Sequence, residues 1–173
     1  TGGVGMDPDI VNSAAWSGQI QDALLAIPTI SLVTDLDNLF GASNGIYVNA
    51  GNDGRAWERR TSVELVHPDG TRGFAVDAGL RIRGAFSRSD QNPKHAFRLF
   101  FKSQYGDSEL EYDVFEDPDA VDSFDKLDLR CSSNLSWAMD GSGNDAFIRD
   151  WFARQTQLAM GDLSTHSRFC LVY

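Results

Sequence analysis

Residues 61–106 read TSVELVHPDGTRGFAVDAGLRIRGAFSRSDQNPKHAFRLFFKSQYG, and this stretch decides the fold. Thr61 to His67 alternates apolar and polar residues, the period of a strand with one buried face. Pro68-Asp69-Gly70 follows: proline presets φ for the first turn position, and glycine accepts the positive φ that closes the turn. Gly73 to Arg83 resumes the alternation, so residues 61–83 predict a hairpin. Leu80 and Ile82 fall on one face, and Arg81 and Arg83 on the other. Ala96 to Lys102 predicts a third strand, with Phe97, Leu99 and Phe101 opposite Arg98, Phe100 and Lys102.

Outward on the N-terminal side, Thr29 to Thr34 (TISLVT) is β-branched and apolar and predicts a buried strand. Asp35 stands where an N-cap would start a short helical turn through Leu39 and Phe40. Ile46 to Asn49 predicts another short strand. Residues 1–26 form an N-terminal arm with a short helix from Gln19 to Ile27, which Pro28 stops. The domain proper runs over 27–173. On the C-terminal side, Phe124 to Arg130 (FDKLDLR) alternates again. Asp145 to Met160 predicts the long helix of the chain, with Phe147, Ile148, Trp151, Phe152 and Leu158 as its apolar side and Gly161 as its C-terminal stop. Arg168 to Tyr173 (RFCLVY) starts a further strand. The expected class is α+β: a mainly antiparallel sheet with one long helix.

The chain has 173 residues, enough for a substantial core. It carries 15 basic and 25 acidic residues, a net charge of −10, which argues against a general nucleic-acid binder. No apolar run approaches the ~18 residues of a membrane-spanning helix. The charge is distributed unevenly. Residues 1–54 hold six Asp and no Lys or Arg, residues 55–102 hold ten Lys or Arg against five acids, and residues 105–128 hold ten acids and one Lys. The basic centre is either a local anion site or the counterpart of its acidic flanks.

Other chemistries find little support. Asp117 to Asp122 and Asp140 to Asp145 suggest calcium, but neither completes an EF-hand loop: in the second, Asp145 takes the glycine position and Trp151 the terminal glutamate position. They read as solvated acidic loops. His67, His95 and His166 lack zinc-ligand spacing, and no nucleophile elbow accompanies the serines. Cys131 and Cys170 are too few for a disulfide framework. Two separate buried thiols is the plainer reading, and one bridge the alternative.

Four segments, in order, resemble the CotH-like (spore coat protein CotH) atypical protein kinase family. These are IPTISLVTDLDNLFG (27–41), GIYVNAGNDGRAWERRTSVELVHPDG (45–70), AGLRIRGAFSRSDQNPKHAFRLFFKSQYG (78–106), and FDKLDLRCSSN (124–134) with FIRDWFARQTQLAMG (147–161) behind it. The third is the most specific, with its Arg-x-Arg-Gly, a nearby Ser and a Pro-Lys before a basic aromatic strand. His95 departs from the pattern, standing where relatives carry a second basic residue.

The resemblance implies the N-terminal part of an atypical kinase-like fold. The chain then ends before an Asn-Gly turn, a Tyr- and Gly-rich strand and an acidic metal-binding motif, and by itself is inactive. It implies ATP and Mg as cofactors of the complete domain, and transfer of phosphate to Ser or Thr of a protein substrate among coat or surface proteins. The location implied is secreted or cell-surface, coat-associated. Arg81, Arg83, Gly84, Ser87 and Lys94 become the nucleotide-binding candidates. Phosphoryl transfer needs positioning and positive charge; Gly84 permits close backbone approach, Ser87 offers a hydroxyl, Lys94 a point charge and Arg83 a fork. A pairing of Lys94 with Asp150, after the kinase Lys–acid pair, is a weaker expectation. The competing reading is a non-catalytic extracellular module for carbohydrate or protein partners, which exposed Trp16, Trp57 or Trp137 would support.

Overall fold

The computed structural model describes residues 6, 8–90, 92, 94–131 and 147–173. Its elements in chain order are α1 (Pro8–Val11), α2 (Ile20–Leu25), β1 (Thr29–Val33), α3 (Leu36–Phe40), β2 (Arg59–Val66), β3 (Arg72–Arg83), β4 (Ala96–Phe100), β5 (Leu110–Glu111), β6 (Ser123–Phe124), β7 (Lys126–Leu129), α4 (Arg149–Ala159) and β8 (Leu171–Val172). The class is α+β. The main sheet runs β7-β4-β3-β2-β1-β8, and β5 pairs with β6 apart from it. Neighbours in the main sheet are antiparallel except β1 and β8, which are parallel.

The hairpin of β2 and β3 forms as the turn chemistry dictates: Gly70 takes φ +82° and its N–H donates to the His67 carbonyl. Alternation then sorts the faces. Val63, Leu65, Ala78, Leu80, Ile82 and Leu99 are buried on the inner face, with Leu80 and Leu99 paired in register and both 0% exposed. Ile46, Ala50 and Val114 from the loops and Leu110 from β5 complete this core. A side chain of this size contributes about 1.5–3 kcal/mol when fully buried, so the centre of the sheet anchors the domain.

Several local expectations are corrected. Ile46 to Asn49 is not a strand; the segment turns, because the Ile46 and Tyr47 N–H groups donate to the Asn38 and Leu39 carbonyls and that of Asn49 to the Gly45 carbonyl. Asp35 precedes α3 without a capping side-chain bond; instead Thr34 Oγ1 accepts from Asn38 Nδ2 at 2.9 Å and donates to the Arg60 carbonyl at 2.7 Å. The predicted strand at 124–130 divides into β6 and β7. The predicted helix at 145–160 is described from Arg149 onward and stops at Gly161, φ +80°. Its apolar side is not core: Phe147, Ile148, Trp151 and Phe152 are all exposed. The strand expected from Arg168 narrows to Leu171–Val172. Cys131 and Cys170 are both free thiols, half-buried rather than buried.

Candidate functional site

The outer face of the sheet carries what alternation leaves there: Arg81 and Arg83 on β3, Arg98 on β4 and Asp128 on β7. Arg81 pairs in register with Arg98, and Arg98 with Asp128. Two arginines directly opposite each other repel, and the fold answers with one carboxylate for each. Asp128 accepts from Arg98 Nε at 2.5 Å and Arg98 Nη2 at 2.9 Å, and from Arg83 Nε at 2.7 Å. Burial pushes the Asp128 carboxyl up, but hydrogen bonds from Arg98 and Arg83 outweigh it and hold the group below the usual range. Arg83 uses Nε alone; its terminal nitrogens make no hydrogen bond among the described residues.

The carboxylate opposite Arg81 is Glu58, which reading the sequence for function did not single out. Its side chain is 1% exposed. It accepts from Arg81 Nε at 2.7 Å, from Lys102 Nζ at 2.7 and 2.8 Å, and from the Tyr105 hydroxyl at 2.8 Å. Desolvation raises its pKa, and the bonds from Lys102, Tyr105 and Arg81 together hold it below the usual range. The Phe100 ring lies between the two cations, 4.2 Å from the Arg81 guanidinium and 4.6 Å from Lys102 Nζ. Gly79 makes this possible, since a Cβ there would stand 2.7 Å from Glu58 Oε1 and 2.7 Å from the Tyr105 ring. The available signal was the Trp57-Glu58-Arg59 run, legible only as part of a family likeness.

At the end of β3 the chain turns sharply. Gly84 takes φ +113°, and a Cβ there would collide with Ser87 Oγ, which sits over the turn and donates to the Arg83 carbonyl at 3.4 Å. Residues behind the turn pin it. Asn92 is buried and donates to the Phe86 carbonyl at 3.1 Å, and His95 is buried with Nδ1 2.9 Å from the Ser87 carbonyl. Arg88 donates to the carbonyls of Ile82 at 2.9 Å and Asn52 at 3.1 Å. Lys94 is exposed and in no ion pair among the described residues. His95 therefore serves as a packing and hydrogen-bonding group, its ring tilted against that of Tyr47 with centroids 4.9 Å apart.

A cavity of about 800 Å³ is bounded both by inner-face leucines and by Arg83, Arg98 and Asp128 of the outer face. Leu99, Leu127 and Leu129 line it, as do Trp151 of α4 and both Arg83 and Arg98. Of the five sequence-predicted residues, Arg83 lines the cavity. Gly84 and Ser87 form the adjoining turn with Lys94 at its far end, and Arg81 is committed to Glu58. Asp150 pairs with Arg130 at 2.5 Å rather than with Lys94. His166 pairs with Asp117 at 3.0 Å, which ties the first acidic loop to the C-terminal segment, and Arg168 pairs with Glu116 at 3.0 Å. The loop at 140–145 and Trp137 lie outside the described residues. Trp16 is 54% exposed, whereas Trp57 is half-buried with Arg59 over its ring. Among the described residues no group of three or more His, Cys, Asp or Glu is arranged to hold a metal ion, and no helix is long and apolar enough to cross a membrane.

No family model, curated protein or solved structure matches this chain.

Proposed function

We propose that this chain supplies the phosphate-gripping side of an ATP pocket in a CotH-like atypical protein kinase domain. The observation that carries the reading is the pinned Gly84–Ser87 turn between two cations with donors to spare. Among the described residues the Arg83 terminal nitrogens make no hydrogen bond, at the edge of an 800 Å³ cavity, and Lys94 is exposed and in no ion pair. Preset donors of this kind suit phosphate oxygens, because little reordering accompanies binding. The cavity falls within the ~300–1,000 Å³ usual for ligand sites, and its apolar floor and Trp151 suit a base.

The complete domain would take Mg with the nucleotide and a coat or surface protein as substrate, in a secreted or cell-surface setting. The role proposed for this chain is to bind and position the phosphates. The competing reading, an extracellular module for carbohydrate or protein partners, draws on exposed Trp16.

Calorimetric titration with ATP tests the proposal. Arg83→Ala and Lys94→Ala should each weaken binding roughly ten- to a hundredfold, the loss of one charge-assisted hydrogen bond. Arg72→Ala, at an exposed pair with Glu64, should change it less than about threefold. Equal, small effects at all three positions would make the turn purely structural.

A further inference from the structure

We infer that Asp128 is an internal counter-anion that a bound polyphosphate displaces, and that Arg98 thereby joins Arg83 as a ligand of the same anion. The inference rests on the anion-site reading above and adds a binding residue that the Arg-x-Arg-Gly motif does not contain. The geometry is an exchange waiting to be made. One carboxylate holds two guanidinium groups, Arg98 through Nε and Nη2 and Arg83 through Nε. All three side chains remain partly open to solvent, Arg83 at 33%, Arg98 at 38% and Asp128 at 26%. Both arginines also line the cavity. A carboxylate and a phosphate present oxygens to a guanidinium fork in the same way. A phosphate entering from the cavity therefore meets arginines already gathered and aimed at one anion, and Asp128 is the group it must replace. Because Asp128 sits on β7, a four-residue strand at the end of the described sheet, its side chain can swing toward solvent while the strand stays paired to β4.

The exchange predicts signs that simple charge pairing does not. With sodium tripolyphosphate as probe, Asp128→Asn should bind about tenfold tighter, because the competitor loses its charge and keeps its shape. Arg98→Gln should bind at least about tenfold weaker, as Arg83→Ala does. Asp107→Asn, which removes a charge from an exposed loop residue, should change affinity less than about twofold. A second measurement needs no variant: in the wild-type chain, the Nε–H resonances of Arg83 and Arg98 and the carboxyl carbon of Asp128 should all shift during the titration. Unchanged or weaker binding by folded Asp128→Asn overturns the inference, as do Arg98 and Asp128 signals that stay still while Arg83 moves. Tripolyphosphate exchange without ATP binding would sink the nucleotide reading and leave this inference standing. ATP binding with Asp128 and Arg98 unmoved would do the reverse.

Discussion

Asp128 on β7 is bonded to Arg83 on β3, two strands away, and it makes that reach by sharing its carboxylate with Arg98 on the strand between. The same arrangement recurs one step along the face, where Glu58 gathers Arg81, Lys102 and Tyr105. Arg81, Arg83, Arg98 and Lys102 are thus held by two acids, one almost fully buried and one partly open. The first is closed off from solvent, and the second is the one we propose a bound anion displaces.

Removing the buried acid should be costly. Glu58→Ala leaves Arg81 and Lys102 without their counter-charge and Tyr105 without its acceptor. Losing one partner of a buried ion pair costs about 3–5 kcal/mol, and because both cations keep some solvent contact the lower end applies. Glu64→Ala, from the exposed pair with Arg72, should cost less than about 1 kcal/mol. Urea denaturation of the two variants measures the difference; similar midpoints would remove Glu58 from its structural role.

Acid should unfold the domain through the same carboxylates. Glu58 and Asp128 have folded pKa values below their ordinary ones. Their contribution is therefore complete above the unfolded values of about 4.3 and 3.9, and is lost as pH falls through the folded values. Stability should be flat from neutrality to about pH 5 and decline below it. The double variant Glu58→Gln, Asp128→Asn should be less stable at pH 7 and lose less on acidification. An acid-induced shift in urea midpoint as large as that of wild type would contradict this.

Gly79→Ala should destabilise although its backbone is an ordinary strand. The new methyl would meet Glu58 Oε1 and the Tyr105 ring at 2.7 Å, and Glu58 cannot yield without breaking its bonds. Overpacking of this kind costs about 1–3 kcal/mol. Gly51→Ala, with nothing within 4 Å, is the control. Thermal melts that leave Gly79→Ala at or above the control would show that the acid has room to move.

The β8 edge should make the chain self-associate. Val172 and Tyr173 are exposed, and among the described residues β8 pairs with β1 along one side only. An apolar strand edge left open is a template for a further strand. Val172→Lys should reduce association in concentration-dependent light scattering, and a wild-type chain that stays monomeric at high concentration would reject the edge as the cause.

The hairpin was the most legible part of the sequence, because period-two alternation and a Pro-Asp-Gly turn are local signals that agree. The Arg81 and Arg83 face followed from the same alternation. Glu58 was not legible as a buried group: at the start of a strand it looks like any surface acid. Its burial depends on Gly79 leaving space and on Lys102 and Tyr105 arriving from a distant loop. Ile46 to Asn49 misled because its apolar residues do pack inward, Ile46 fully, while its N–H groups are taken by carbonyls of α3. The apolar stripe of α4 was read correctly as a stripe, but amphipathicity does not say what covers it.

The parallel pairing of Thr29 with Leu171 joins the first strand of the sheet to nearly the last residues of the chain. That contact closes a loop almost as long as the molecule, and such closures come late in folding because their entropy is lost before they return any contact energy. The β2–β3 hairpin, closed by a turn of a few residues, can form without it. The C-terminal segment then docks onto a sheet already built and is the first part to leave it. Amides of Leu171 and Tyr173, which donate to Pro28 and Ile30, should accordingly exchange with solvent through local opening, long before those at the Leu80–Leu99 centre.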